Sequence, residues 1–323
     1  MNILITGASG FIGSHLVEHH LSKGDHVWGM DIQYRDDALK KSCQHPHFRF
    51  DKANLISWDK LEEALRWADR VYHMAAHVGL RLVFERPFST LSENIHTCER
   101  LLTTAAIINK PIEILIASSS CVYGSCKTVV DDPENAPLIV NSEKYLQETY
   151  TTSKIVNEVM SLCFSKVSHL HLVIARFFNV IGPHQSDRYG MVVPTFIHQA
   201  LNQKPITVFG DGTQTRSFCS VKDVIWACDA LLKKKNTKNH IYNIGSRSEI
   251  QILELAKKVK KMTKSSSSII FIPYNEAYGF DYEEIPRRQP NISKLQQEIS
   301  FTPKYLLDEV LQEMIDIASK NPI

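Results

Sequence analysis

A phenol and an ammonium four residues apart carry the first chemical signal in this 323-residue chain, in the run Tyr150-Thr151-Thr152-Ser153-Lys154. On a helix those two side chains share a face and lie about 6 Å apart along the axis. A free tyrosine titrates near pH 10, so a neutral-pH base made from it needs about 4 kcal/mol in favour of the phenolate. A neighbouring ammonium, joined by a cationic cofactor ring, has the right sign to supply that. A solvated helix face also produces Tyr-x-x-x-Lys by chance, so the pair needs company.

Two further elements provide it. Ala117-Ser118-Ser119-Ser120-Cys121-Val122-Tyr123-Gly124 stands at the C-terminal end of an apolar run, the end of a strand where ligands meet an open α/β sheet. Hydroxyls there can hydrogen-bond a substrate hydroxyl as its proton leaves. At the other end of the chain, an opening strand runs into Gly7-Ala8-Ser9-Gly10-Phe11-Ile12-Gly13 and then into an amphipathic helix. Glycines in that setting make a tight turn and let backbone N–H groups approach a pyrophosphate at a helix N-terminus. Asp31, ending the second predicted strand, is placed to take adenosine ribose hydroxyls, and its charge repels a 2′-phosphate, which favours NAD over NADP. Asp51, after the Phe48-Arg49-Phe50 strand, is a candidate for the adenine, although Lys52 beside it is unusual in that role.

The elements that must position these groups alternate short apolar runs with helical patterns, which predicts βαβ units and a parallel sheet. Strands are expected at Asn2–Thr6, His26–Met30, Arg70–Met74, Ile112–Ala117 and His171–Ala175, with helices near 11–22, 57–67, 90–109 and 143–166. Ser57 is a candidate N-cap for the second helix. After about residue 180, Gly182-Pro183, Gly190, Pro194, Pro205 and Gly210-Asp211-Gly212 punctuate the chain with turns, and helical patterns return at 221–234, 251–262 and after Pro303. The expected fold is therefore α/β, a doubly wound parallel (Rossmann) sheet with a smaller, partly interleaved α+β substrate lobe. The division is drawn at 1–180 and 181–323, with a segment near 215–245 returning to the first domain. Lys233-Lys234-Lys235-Asn236 reads as the solvated end of a helix.

Bulk composition narrows the class. With 43% hydrophobic and 22% charged residues the chain is ordinary for a globular protein, and roughly 150 residues per domain suggests about two domains. Lys and Arg number 37 against 35 Asp and Glu, a net charge of +2, which does not suggest nucleic acid or a membrane as partner. No run approaches the roughly 18 apolar residues of a spanning helix, and Met1-Asn2-Ile3-Leu4-Ile5-Thr6-Gly7 lacks the features of a signal peptide. Seven cysteines, Cys43, Cys98, Cys121, Cys126, Cys163, Cys219 and Cys228, are an odd, scattered set with no Cys-x-x-Cys. They argue against a disulfide framework or a zinc site and are expected to be mostly small buried residues in a reducing cytoplasm. No metal is expected.

Taken in order, the glycine turn, Asp31, Ser118-Ser119-Ser120-Cys121-Val122-Tyr123-Gly124 and Tyr150…Lys154 resemble the extended short-chain dehydrogenase/reductases of the nucleotide-sugar epimerase/dehydratase/decarboxylase group. The likeness covers nearly the whole length. It continues through Arg176-Phe177-Phe178-Asn179, Gly190-Met191-Val192-Val193-Pro194, Gly210-Asp211-Gly212-Thr213-Gln214-Thr215-Arg216, Tyr242-Asn243-Ile244-Gly245 and Pro286-Arg287-Arg288. The resemblance implies that Tyr150 takes the sugar 4-hydroxyl proton while NAD accepts the C4 hydride, and that Lys154 holds the nicotinamide ribose and steadies the phenolate. Ser119 is the serine partner if the motif is aligned from Val122-Tyr123-Gly124, and Ser120 if it is aligned from the left. Ala75 and Ala76 match small residues beside the cofactor, Phe177 a position near the nicotinamide, and Gly7, Gly10, Phe11, Ile12 and Gly13 the dinucleotide loop. Asn179, Arg216 and Arg288 match positions that grip the diphosphate of a nucleotide-sugar, expected to be UDP-linked. Arg81 is a candidate to point towards the sugar, and a homodimer formed through helices 90–109 and 143–166 is implied by the resemblance.

The reaction turns on what stands beside the serines. By the same resemblance a 4,6-dehydratase places an Asp-Glu pair there and a glucuronate decarboxylase a Glu in the second slot. Here the two slots hold Ser120 and Cys121. With no carboxylate in place, a 4-epimerase is the first expectation, since it needs no extra acid or base. The decarboxylase or dehydratase is the alternative, and a nucleotide-binding protein without catalysis is a minor one.

Overall fold

The computed structural model describes residues 1–124, 129–187, 190–279 and 282–320, apart from the side chains of Leu80, Arg81 and Val129. Cys126 lies outside the described residues. Seven parallel strands form the central sheet: β1 (Asn2–Thr6), β2 (His26–Asp31), β3 (Phe48–Lys52), β4 (Arg70–His73), β5 (Glu113–Ser119), β6 (His171–Phe177) and β7 (His240–Ile244). Their spatial order is β7-β6-β5-β4-β1-β2-β3, so the order reverses between β1 and β4. That switch point opens a crevice beyond the carboxyl ends of the strands.

Continuous apolar runs make these strands because both faces are covered. Successive side chains of β1 go to opposite sides. Ile3 and Ile5 join a cluster with Leu16, Val17, Val224 and Leu231, while Leu4 joins Trp28, Leu61, Leu101 and Ile114. The first face is covered by α1 (Phe11–Ser22) and the second by α2 (Leu61–Trp67), α4 (Pro87–Ile108) and α5 (Tyr145–Val167), while α3 (Leu80–Glu85) packs against α4 and α5. Leu4 is wholly buried, and Leu4→Ala beneath the glycine loop would cost about 2–5 kcal/mol.

Beyond β6 come α6 (Val192–Leu201), α7 (Val221–Leu232), α8 (Ile252–Met262), α9 (Ser293–Ile299) and α10 (Leu307–Lys320). Helices α6, α8 and α10 share a separate core of Phe196, Ile197, Leu255, Val259, Leu311 and Met314. A four-stranded sheet ranks Glu249–Gln251, Thr215–Ser217, Arg287–Gln289 and Val129–Val130. Helix α7, in contrast, packs with α1 on the central sheet, and β7 continues that sheet beside β6.

Two expectations are corrected. Ser57 does not cap α2: its N–H closes a turn onto the Asn54 carbonyl at 3.0 Å, and the helix starts at Leu61. Asn54, which also accepts from the Ile56 N–H, prefers that local turn. Of the described cysteines only Cys98, Cys219 and Cys228 are buried; Cys43 and Cys163 are exposed. The run Lys233-Lys234-Lys235-Asn236 is the exposed end of α7, as expected, with Lys233 also reaching back one turn to Asp229 at 2.8 Å. Among the described residues, no helix is long and apolar enough to cross a membrane.

Candidate active site

The crevice begins at the glycine loop. Gly7 holds φ +71° and Gly10 donates its N–H to the Gly7 carbonyl at 3.0 Å, which closes the turn. A Cβ on Gly13 would sit 2.0 Å from that carbonyl, and one on Gly7 would sit 2.7 Å from the Ala75 nitrogen. Only glycine lets the loop fold this closely on α1 and on the residues after β4. Phe11 and Ile12 open α1 and pack against the first core cluster. Asp31, at the end of β2, accepts the Ser9 N–H at 3.0 Å and the Gln33 N–H at 3.2 Å. Burial nevertheless raises its pKa, a carboxylate held in the crevice rather than in open water. The loop, its free helix N-terminus and this acid together fit a dinucleotide.

Asp51 is occupied otherwise. Its carboxylate accepts from the Trp28 indole at 3.2 Å and meets Lys60 at 3.5 Å and Arg49 at 3.8 Å. Ala75 and Ala76 follow β4, and Ala75 donates its N–H to Thr6 Oγ1 at 3.3 Å. Phe177 ends β6 in register with Ser119.

Strand β5 delivers the serines to α5. Ser118 and Ser119 diverge: Ser118 is buried and donates to Glu158 Oε1 at 2.5 Å, whereas Ser119 caps the turn Ser120–Tyr123 by accepting the Cys121 N–H at 3.2 Å. The Ser119 hydroxyl also hydrogen-bonds Tyr150. Ser120 is buried one step further on. Thr151 pins the strand end to the helix by donating to the Cys121 carbonyl at 3.3 Å.

Lys154 is buried and donates to the Ala117 carbonyl at 2.7 Å, with its Nζ 5.8 Å from the centre of the Tyr150 ring. Burial lowers its pKa to about 8, against the opposing pull of Cys98, Glu158 and Cys121. Burial likewise pushes the Tyr150 phenol above its usual range, with the Ser119 hydrogen bond working the other way. His73, bonded to Thr6 at 2.8 Å, is pushed down to about 3 by burial and by the Lys154 charge, so it stays neutral beside the pair.

Opposite this, two arginines lie side by side in the four-stranded sheet, Arg216 in register with Arg288. Arg216 donates from Nη1 to the carbonyls of Thr215 at 2.7 Å and Ile285 at 2.8 Å, and from Nη2 to Glu284. Arg288 reaches the strand end: its Nη1 is 3.8 Å from Cys121 Sγ, and its buried Nε has no hydrogen-bond partner among the described residues. Asn179, at φ +30°, donates its amide to the Ser217 carbonyl at 2.9 Å. Arg81 falls within α3, and its side chain lies outside the described residues.

Sequence reasoning missed the support beneath the site. Glu158 joins Ser118 to Arg176, accepting from its Nε at 2.9 Å and its Nη2 at 2.7 Å. Helical spacing signals it: Tyr150, Lys154 and Glu158 recur every four residues along one face. Asn94 links the two long helices, donating to Ser153 at 3.2 Å while its own carbonyl accepts from Asn157 at 3.1 Å. No sequence pattern marks it.

Comparison with known proteins agrees with this geometry. The model of the NAD dependent epimerase/dehydratase family matches residues 3–245. A UDP-N-acetyl-alpha-D-glucosaminuronate decarboxylase of Bacillus cytotoxicus is 31% identical, over 97% of this chain and 96% of that protein. UDP-glucuronic acid decarboxylase 3 of Arabidopsis thaliana is 32% identical, over 97% of this chain and 88% of its own. Among solved structures, the UDP-glucuronic acid 4-epimerase from Bacillus cereus, in complex with UDP-glucuronic acid and NAD, superposes with a TM-score of 0.88. It is 29% identical, with 99% of each chain covered.

Proposed function

The chain belongs to the NAD-dependent epimerase/dehydratase family, and within it we propose a 4-epimerase acting on a UDP-linked uronic acid. Gly7, Gly10 and Gly13 with Phe11 and Ile12 form the cradle, Asp31 takes the adenosine ribose, and Ala75, Ala76 and Phe177 line the nicotinamide end. NAD held there supplies the hydride acceptor for C4 and a positive charge beside the phenol. Tyr150 takes the 4-hydroxyl proton, Ser119 orients that hydroxyl with Ser120 beside it, and Lys154 steadies the phenolate through its ammonium. Arg216 and Asn179 serve the diphosphate. Turning the 4-ketone over and reducing its other face inverts C4.

The observation that carries the reading is Arg288 at 3.8 Å from Cys121 Sγ. It supports a guanidinium at the sugar end of the site, where a C5 carboxylate would meet it, beside the diphosphate role that the resemblance implies. Oxidising a uronate at C4 makes a β-keto acid, which loses CO₂ when its carboxylate becomes neutral carbon dioxide. A guanidinium fork holds the charged carboxylate, and Ser119, Ser120 and Cys121 bring no carboxylic acid to drive chemistry at C5. Exposed apolar side chains on α4 and α5, including Phe88, Ile107, Val159 and Val167, support a homodimer through those helices.

A decarboxylase is the second reading, favoured by the Bacillus and Arabidopsis relatives and equally in need of a carboxylate-binding cation. NAD-loaded protein incubated with UDP-glucuronate and UDP-N-acetylglucosaminuronate separates the two by product NMR and CO₂ release. Inversion at C4 with the carboxylate retained is expected. Stoichiometric CO₂ with a pentose product would transfer the assignment to the second reading.

A further inference from the structure

Arg216 is the one residue of the proposed diphosphate grip that already holds an anion. Its Nη2 donates to Glu284, whose side chain is 20% exposed against 13% for Arg216. The carboxylate is held in place from several sides. Its Oε1 accepts the Ile285 N–H at 2.8 Å, and the Tyr274 hydroxyl hydrogen-bonds it. Around it Tyr274, Tyr278 and Tyr282 stack with centroids 4.5–6.3 Å apart, and Phe84 of α3 closes on Tyr278 at 5.5 Å. The preceding residue is tied to α5: Glu283 pairs with Lys144, donates its N–H to Gln147 Oε1 at 3.2 Å, and accepts from Gln147 Nε2 at 3.0 Å.

Two guanidinium groups side by side, Arg216 desolvated by burial and Arg288 with a buried Nε, need negative charge. We propose that Glu284 is a displaceable latch on Arg216, occupying the guanidinium until a nucleoside diphosphate takes its place. The inference rests on the reading of Arg216 as a diphosphate ligand. A carboxylate carries one charge and a diphosphate more, and the displaced carboxylate has a path to water because it is already partly exposed. Displacement costs every incoming anion the same amount. It therefore weakens UDP and other anions by the same factor. Glu284 acts through Arg216 and is a positioning residue.

The test is calorimetric titration of UDP into the NAD-loaded protein and its variants, with thermal melts to check folding. Glu284→Gln and Glu284→Ala are each expected to tighten UDP binding about tenfold, the scale of one charge-assisted hydrogen bond. Arg216→Gln is expected to weaken it by at least as much, and adding Glu284→Gln to Arg216→Gln is expected to change nothing further. In turnover the Glu284 variants lower KM for the UDP-sugar without raising kcat. If Arg216→Gln weakens UDP while both Glu284 variants leave it unchanged or weaker, the latch is wrong and the diphosphate reading stands. If Arg216→Gln leaves UDP binding unchanged, the diphosphate role of Arg216 is wrong and the latch falls with it.

Discussion

Lys154 donates to the carbonyl of Ala117 at 2.7 Å, one residue before the serine run. A single hydrogen bond therefore ties the ammonium of α5 to the strand that presents Ser119. The cation is fixed by the sheet, not by the flexibility of its own four-carbon stem. It stays 5.8 Å from the Tyr150 ring, near enough to favour a phenolate without forming a contact pair. Two predictions follow from this pairing of a fixed cation with a phenol that burial keeps protonated.

Tyr150→Phe removes the proposed base and leaves the glycine loop untouched. Turnover of UDP-glucuronate is expected to fall about 10²- to 10⁴-fold, the usual yield of a positioned acid–base group, while bound NAD, measured by release on denaturation, stays at the wild-type level. Undiminished turnover would remove Tyr150 from the mechanism.

Lys154→Met replaces a buried cation with an apolar chain of similar length. Burial lowers the lysine pKa from 10.5 to about 8, so between those values the unfolded chain binds a proton that the native state has released. Native stability therefore rises with pH across that window, and the cost of burying the charge is felt in full below about pH 8. Urea unfolding of cofactor-free protein at pH 7 and pH 10 is expected to show a smaller gain with pH in the variant than in the wild type. Activity is expected to be lost at both. An identical pH gain in the two proteins would mean that the lysine is not desolvated.

Glu158→Gln tests the support under β5. Glu158 and Arg176 are both buried, and the glutamate is the only carboxylate paired with Arg176 among the described residues. Removing its charge is expected to cost about 3–5 kcal/mol in urea unfolding, because it strands a buried guanidinium. Adding Arg176→Met is expected to recover much of the loss. Separate, additive losses would show that the pair is not coupled.

The legible parts of this protein are those whose function depends on local order. The β1 strand, the glycine turn and α1 are contiguous in sequence, so their chemistry is written where it is used. Tyr150 and Lys154 were legible for the same reason. The choice between Ser119 and Ser120 was not, because it depends on how β5 breaks into a turn. The strand's alternation sends Ser118 to Glu158, and the turn aims Ser119 at Tyr150. Arg288 matched a diphosphate position by resemblance, and its approach to Cys121, set by the register of Arg287–Gln289 on Thr215–Ser217, has no local signature either. Contacts across more than seventy residues of chain, such as Arg216 with Arg288 or Tyr123 with Asn243 at 2.8 Å, have no local signature.

Cys121→Glu places a carboxyl where decarboxylases and dehydratases of this group are expected to carry one. The new side chain would stand at the end of β5, within reach of Arg288, which already lies 3.8 Å from the thiol. Pairing with Arg288 would draw the guanidinium from the uronate carboxylate, and a protonated fraction would offer an acid near C5. Both effects favour CO₂ loss from a 4-keto uronate over its reduction. The ratio of CO₂ released to C4-inverted product, followed with UDP-glucuronate labelled at the carboxyl carbon, is therefore expected to rise several-fold over the wild type. Total turnover is expected to fall, since the added charge lies beside Tyr150 and disfavours its phenolate. An unchanged ratio, with NAD still bound, would mean that the residue after Ser120 does not decide the fate of the carboxylate.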